Sequence, residues 1–253
     1  MYGSIGLLDS VSFYQNPDQF NLLLDHWDES VATFVPHHGR DISEMSKKIR
    51  SFYVGDDTLS EDKHFANLTD MMSDVSFVYG TDATVKAWST KNPVYYYSWE
   101  HMTTFSLADL FLAKFNVLDS LKFGVGLATG TFQSKQLGVC HADDAALNLF
   151  NVAPLDSFMP SLIPRSQEDV RFQKRVVDIW ANFATYRKPL PDRAQLDLDP
   201  PNYVSDLGSG RAAWNRVGPT SSYVRLKTDT VAHEKDPMLE ARLDFWHKLM
   251  NQG

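Results

Sequence analysis

One histidine is flanked by residues suited to chemistry. It lies in the heptapeptide GVCHADD at residues 138–144, where two acidic residues follow closely after His141. An imidazole titrates near neutral pH and can act as a general base. A base of this kind needs a nucleophile to serve and an acid to orient it. The residues alone leave two interpretations open: a catalytic base, or a loop histidine that hydrogen-bonds a neighbouring acid.

The other candidate sites have weaker patterns. Adjacent side chains such as His37 and His38 point in different directions, and no third ligand is suitably spaced, so no metal site is predicted. The stretch GVGLATG at residues 124–130 lacks the G-K-[ST] ending of a phosphate loop and misses the G-x-G-x-x-G spacing by one residue. It is interpreted as a flexible loop. The aromatic run at residues 95–97 is expected to pack in the core, and no cofactor is predicted.

A nucleophile for His141 is missing from the printed sequence. No G-x-S-x-G occurs in it, and GSG at residues 208–210 has the wrong spacing with no buried strand before it. If His141 is a base, its serine is not marked by the usual strand-to-helix turn.

Composition indicates a globular chain with a substantial core. Hydrophobic residues make up 43% of the 253 residues. A net charge of −8 without a basic cluster disfavours nucleic-acid binding, and no run approaches the length of a membrane span. The first residues lack the basic region of a signal peptide. Cys140 is the only cysteine, which excludes an intramolecular disulfide and a cysteine-based zinc site. Asn67 begins an N-x-T triplet and is the predicted glycosylation site.

Helical periodicity dominates the pattern along the chain. Asn16 and Pro17 are suited to begin a first helix that runs past residue 31, and a capping-box-like start at Ser166 precedes a strong helix. The predicted apolar side of that later helix is Val170, Val176, Val177, Trp180, Phe183 and Ala184. Further helices are predicted over 41–53, near 61–73, near 82–89, and from about 236 with Leu239, Leu243, Trp246 and Leu249 inward.

Two strands are predicted between the helices. Residues 92–99 are aromatic and do not alternate with polar residues, which is typical of an interior strand covered on both faces. Residues 223–226 alternate like a half-exposed strand. Residues 101–137 are predicted as mixed short helix and loop, and 190–222 as loop. Helices interleaved with buried strands indicate an α/β fold.

Five motifs in sequence order together resemble one family. The histidine motif GVCHADDAALNLF covers residues 138–150 and is similar to G-V-x-H-[GA]-[DE]-[DE]-x-x-Y-x-F. The others are SDVSF at 73–77, PVYYYSW at 93–99, WANFA at 180–184 and RLDFW at 242–246. This order resembles the type-B carboxylesterases, the cholinesterase-like family of α/β-hydrolases, and within it the insect esterase and juvenile hormone esterase group.

The resemblance implies a serine esterase of which only the C-terminal part is present. Residues 1–253 are then the C-terminal part of a single α/β-hydrolase domain, with helices flanking a mixed, mostly parallel sheet. The implied partners are a small-molecule ester in the complete protein and the missing N-terminal half of the same fold. His141 is the triad base. The nucleophilic serine is absent, and Ile5 stands before Gly6 where the family carries its acid; Asp9 is given no role.

Several expectations follow from this resemblance. The complete protein is expected to be secreted or lumenal and to be a glycoprotein, while this chain alone is expected to be inactive. The alternatives are a non-catalytic binding or adhesion protein of the same fold, and a truncated gene product without activity. Because buried strands would lack neighbours, the isolated chain is expected to be marginally stable or prone to aggregation.

Overall fold

The computed structural model describes residues 23, 25–57, 61–109, 117–134, 137–144, 165–190, 214–218, 223–227, 231–233 and 237–251. These segments contain seven helices, one π-helical turn and three strands. The helices are α1 (Trp27–Phe34), α2 (Ile42–Tyr53), α3 (Glu61–Ser73), α4 (Tyr79–Ser89), α5 (Val117–Thr129), α6 (Gln167–Tyr186) and α7 (Pro237–Asn251). The π-helical turn is Asp74–Val78, and the strands are β1 (Tyr97–Trp99), β2 (Val224–Leu226) and β3 (Val231–His233).

The largest core is built from the helices near the start and the end of the chain. Asp41 caps α2 by accepting hydrogen bonds from the backbone N–H groups of Ser43 and Glu44 at 2.9 and 3.3 Å. Gly55 follows the helix with φ +72°, as the stop predicted there requires. The buried apolar residues of this core are Leu23, Trp27, Val31, Val35, Met45, Ile49, Tyr53, Val54, Leu68, Met71, Trp246 and Leu249. Residues 16–20, where the first helix was predicted to begin, lie outside the described segments.

The sheet is small and mixed. β1 pairs with β2 in parallel, with Tyr97 opposite Val224, and β2 pairs with β3 antiparallel. The predicted strand over 92–99 is confirmed only at its end, in β1. The predicted strand over 223–226 is confirmed as β2. Its burial alternates as expected, since Arg225 is half-buried between two buried neighbours. Within the described segments, one parallel and one antiparallel pairing make the sheet mixed, as expected.

Both faces of β1 are covered, as the aromatic run predicts. Tyr95, Tyr97 and Trp99 pack on one side against the cluster formed by α6. Tyr96 packs on the other side against a cluster that includes Leu239 of α7. The run therefore belongs to the core, and the described elements form helix, sheet and helix layers, consistent with an α/β architecture. The inward side of α7 is confirmed, because Leu239, Leu243, Trp246 and Leu249 are all buried.

The predicted apolar side of α6 is partly wrong. Val177, Trp180 and Phe183 are 48%, 44% and 49% exposed. Val176 is buried as predicted, and it packs toward the sheet together with Phe172 and Ile179, which the prediction did not include. Two apolar stripes coexist at helical spacing on this helix, and only the contacts with the sheet select between them.

Residues 101–137 also differ from the prediction. They contain the thirteen-residue helix α5, which carries Gly124 and Gly126 of the stretch interpreted as a loop. Gly126 is closely approached, since a Cβ there would lie 3.3 Å from the Phe132 backbone, and its carbonyl accepts hydrogen bonds from the N–H groups of Thr131 and Phe132. Gly130, with φ +69°, follows the helix. The helix thus forms despite the low helix propensity of glycine, and the chain directly after it folds back onto Gly126.

Candidate functional site

His141 lies on a turn at residues 141–142, shortly after the loop at residues 137–139. The two residues that follow the turn, 143 and 144, are helical. Its ring is half-buried and stacks on Phe77, with ring centroids 4.7 Å apart and planes 25° from parallel. Among the described residues, no side chain or backbone group hydrogen-bonds the imidazole nitrogens. The described residues thus orient the imidazole without using its nitrogens, which a general base needs for proton exchange.

Asp143 anchors the turn that carries His141. Its carboxylate accepts hydrogen bonds from the backbone N–H groups of Cys140 and Leu107, both at 2.8 Å, and from the Ser106 hydroxyl at 3.0 Å. The Asp143 N–H in turn donates to the Cys140 carbonyl at 3.2 Å. The side chain is buried, so these bonds tie the turn to the loop at residues 103–109.

The backbone around His141 is in conformations that few residues adopt. Ala142 has φ +66° and Gly138 has φ +129°. The left-handed region costs a non-glycine residue about 1 kcal/mol or more. Asp143 hydrogen bonds on both sides of Ala142 hold this turn in place, so the direction of the His141 side chain is set by tertiary contacts.

Burial shapes the electrostatics beside His141. Burial raises the pKa of Asp143 to about 6, against the N–H and hydroxyl donors that favour its ionised form. Burial also raises the pKa of the Cys140 thiol, and the nearby Asp143 carboxylate adds to this effect. Cys140 is therefore a buried, protonated thiol and not a nucleophile candidate.

Phe77 belongs to the π-helical turn that joins α3 to α4. The turn is locked to two helices through Asp74, which accepts a hydrogen bond from the Tyr53 hydroxyl at 2.7 Å and pairs with the Arg242 Nε at 2.9 Å. The Tyr53 hydroxyl itself accepts from the Trp246 Nε1 at 2.7 Å. Sequence periodicity separated the helices near 61–73 and 82–89, whereas the π turn makes them continuous.

A second histidine–acid pair lies elsewhere in the fold. His101 Nε2 is 2.8 Å from Asp169 Oδ1, and the His101 ring stacks on Phe172 at 4.1 Å. Burial opposes ionisation of Asp169, but hydrogen bonds from His101, Thr104 and Ser166 outweigh it and hold the pKa of Asp169 well below its usual range. Both side chains are buried, which indicates a structural clamp between α6 and the loop after β1.

A third pair is on the opposite side of the helical core. His247 Nε2 lies 2.7 Å from Asp82 Oδ2, which also pairs with Lys86 at 2.8 Å. Neither this pair nor His101–Asp169 was found in the sequence, because the partners are 165 and 68 residues apart. Only the S-x-x-D start of α6 marked Asp169 as structurally important.

The remaining predicted sites are placed as follows. Asn67 lies on α3, where its Nδ2 donates to the Tyr53 carbonyl at 2.8 Å and Thr69 of the triplet is buried; its glycosylation stays a prediction. His37 Nδ1 lies 3.4 Å from the Val35 carbonyl. In the described segments, no three His, Cys, Asp or Glu side chains are placed to hold a metal ion. Ile5, Asp9, residues 145–150 and GSG at 208–210 lie outside those segments.

None of the described helices is both long enough and apolar enough to cross a bilayer.

Comparison with known proteins agrees with the motif order. The chain is 25% identical to Esterase E4 of Myzus persicae over 194 residues, which is 74% of this chain and 31% of that protein. It is 25% identical to the Juvenile hormone esterase of Tribolium castaneum over 263 aligned positions, or 98% of this chain and 40% of that protein. The chain thus spans about a third to two fifths of the length of these relatives.

The family match covers nearly the whole sequence. The sequence pattern described as the carboxylesterase family matches residues 8–246, which include the π-helical turn, the sheet and the His141 turn. This family implies an α/β-hydrolase fold, in line with the layered elements described above. The chain belongs to the carboxylesterase family.

Proposed function

We propose that this chain supplies the triad histidine, His141, of a serine-type carboxylic ester hydrolase. The observation that carries the proposal is the His141 imidazole itself. It is fixed by a ring stack and an anchored turn, yet its nitrogens make no hydrogen bond with the described residues. The family match and the similarity to named insect esterases support the same reaction class.

In the proposed reaction, His141 moves one proton through each half of the cycle. It takes the proton of a serine hydroxyl as the serine oxygen attacks the ester carbonyl carbon, and gives that proton to the leaving alcohol. It then takes a proton from water as the water oxygen attacks the acyl-serine, and returns it to the serine oxygen as the carboxylic acid departs. The serine and the orienting acid are contributed by residues outside this sequence.

We further propose that residues 1–253 are the C-terminal part of one hydrolase domain, and that the complete protein is secreted or lumenal. The share of the relatives that the chain covers supports the first point. The chain alone is then inactive, because loss of triad members typically lowers the rate by about 10⁴-fold or more.

A second candidate is a non-catalytic binding protein of the same fold. It is favoured by Ile5, which stands before Gly6 where the resemblance places the catalytic acid. A binding protein has no chemical need for His141, whereas the enzyme does, so substitution of this residue separates the two.

The test compares His141→Ala with His26→Ala in the full natural protein. His26 is exposed on the approach to α1 and far from the proposed chemistry, which makes it a matched histidine control. Hydrolysis of a simple aryl ester is expected in the wild type and in His26→Ala, and to fall about 10⁴-fold in His141→Ala. Wild-type protein that hydrolyses no ester would favour the binding protein. A His141→Ala variant with full activity would show instead that His141 is not the catalytic base.

A further inference from the structure

His141 touches one aromatic ring, and that ring comes from an unusual backbone segment. Phe77 lies within the π-helical turn Asp74–Val78, where the Tyr79 N–H donates to the Asp74 carbonyl five residues earlier. A π-helical turn inserts one extra residue into an α-helix and so re-aims the side chains it carries. Such insertions lower helix stability and persist when the surrounding structure or a function holds them.

The turn is held by contacts with two other helices. Asp74, at its first position, pairs with Arg242 of α7 and accepts a hydrogen bond from Tyr53 of α2. Arg242 also pairs with Asp70, one turn earlier on α3. These contacts fix the rotation of the turn, and with it the direction of Phe77.

The two rings meet in a geometry that constrains the imidazole. With centroids 4.7 Å apart and planes only 25° from parallel, Phe77 covers a face of the imidazole and not the ring edges, where the nitrogens lie. Asp143 holds the backbone of the turn, but its hydrogen bonds do not reach the His141 ring. Among the described residues, Phe77 is therefore the contact that bears on the orientation of the ring plane.

We propose that Phe77, carried on the π-helical turn, is a positioning residue for His141 that sets the plane of its imidazole. The placement is a property of this chain, while its catalytic consequence rests on the proposed role of His141 as the base. Phe77 itself exchanges no proton and contacts no reacting atom; it acts through the histidine.

The first test reads the placement directly and needs no activity. The measurement is an NMR spectrum of the full natural protein with isotope-labelled histidines. The His141 signals are identified as those that disappear in the His141→Gln variant. The His141 ring hydrogens are expected to show a nuclear Overhauser contact with Phe77 and an upfield ring-current shift. Phe77→Leu is expected to abolish the shift, and Phe77→Tyr to retain it.

The matched control is Phe52→Leu. Phe52 is also a helical phenylalanine with one stacked partner, Phe245, at a centroid distance of 4.2 Å, but it lies on α2. This variant is expected to leave the His141 signals unchanged. If Phe77→Leu does not accumulate as folded protein, the placement of Phe77 is tested by two other signals. These are the Overhauser contact in the wild type and the ring-current shift in Phe77→Tyr, and absence of both would overturn the placement.

The second test measures the consequence for catalysis. Phe77→Leu is expected to lower kcat by on the order of tenfold to a hundredfold with little change in KM, since misplacement of a catalytic group affects the chemical step. Phe77→Tyr is expected to restore kcat. An unchanged His141 signal in Phe77→Leu, or loss of kcat equal in Phe77→Tyr and Phe77→Leu, would overturn the proposal. A wild-type protein that shows the ring contact but no hydrolysis contradicts the proposed function and leaves the placement supported.

Discussion

At the scale of single residues, the turn around His141 depends on one buried carboxylate. Asp143 accepts from two backbone N–H groups and one hydroxyl in a place where water does not reach. The neighbouring Ala142 has a positive φ of +66°, which is unfavourable for a non-glycine residue. Loss of the carboxylate is therefore expected to affect the position of His141 before it affects the rest of the fold.

The titration of Asp143 provides a test at this scale. Its pKa of about 6 in the folded state lies above the usual carboxyl value of 3.8, so the folded protein binds this proton more tightly than the unfolded chain. The stabilisation is complete below about pH 4 and is lost as the pH rises through about 6. The shift corresponds to about 3 kcal/mol of the free energy of unfolding.

Asp143→Asn removes this titration. The free energy of unfolding of the variant, measured by urea denaturation from about pH 4 to pH 7, is expected to depend less steeply on pH than that of the wild type. Asp244→Asn, at an exposed position of α7, is the control and is expected to keep the wild-type slope. Parallel curves for Asp143→Asn and the wild type would show that the carboxylate is ionised throughout this range.

At the scale of elements, helix α6 is held at its start by hydrogen bonds and along its length by packing. The capping box is confirmed: Asp169 N–H donates to the Ser166 hydroxyl at 3.0 Å, and the Ser166 N–H donates to Asp169 at 2.8 Å. Asp169 also receives the His101 and Thr104 bonds, so the cap joins α6 to the loop after β1. The Asp169 carboxylate thus both caps α6 and attaches this helix to the loop after β1.

Ser166→Ala is expected to lower the free energy of unfolding by about 1 kcal/mol, the usual cost of losing an N-cap. The measurement is the midpoint of thermal or urea unfolding. Ser89→Ala is the matched control, because the Ser89 hydroxyl donates to the Lys86 carbonyl at an exposed helix end. Equal effects of the two substitutions would show that the capping box adds nothing to α6.

At the scale of the whole molecule, packing leaves two apolar stripes uncovered. One is formed by Val177, Trp180 and Phe183 on α6, and the other by Leu118, Leu121 and Val125 on α5. Exposed patches of this kind promote association with other apolar surfaces. The expectation that the isolated chain is prone to aggregation stays a prediction, and these stripes give it a specific origin.

The 253-residue chain expressed alone is expected to self-associate with rising concentration. The double substitution Leu121→Gln with Trp180→Gln is expected to shift its sedimentation toward the monomer, because it interrupts both stripes. Lys122→Gln with Lys174→Gln alters exposed side chains of the same two helices and is expected to leave sedimentation unchanged. A wild-type chain that stays monomeric at all concentrations contradicts this origin of association.

Much of the fold could be predicted because local rules agree with tertiary packing. Ser166 was a recognisable cap, the inward residues of α7 recur at helical spacing, and the aromatic run that ends in β1 is covered on both faces. Prediction failed on α6 and α5. On α6 two apolar stripes have the same period, and on α5 the glycines suggest a loop where the chain is helical.

The sequence by itself determined the family, the α/β class and the choice of His141 as the candidate base, because motif order and residue type are read along the chain. Only the tertiary structure decided what surrounds that histidine. Phe77 stacks on its ring from a π-helical turn, and Asp143 holds the backbone beside it through buried hydrogen bonds. Both residues stand in sequence motifs, but the motifs do not show that the two segments meet at His141. The pairs His101–Asp169 and Asp82–His247 likewise join distant segments, and such contacts exist only once the helices and strands have packed.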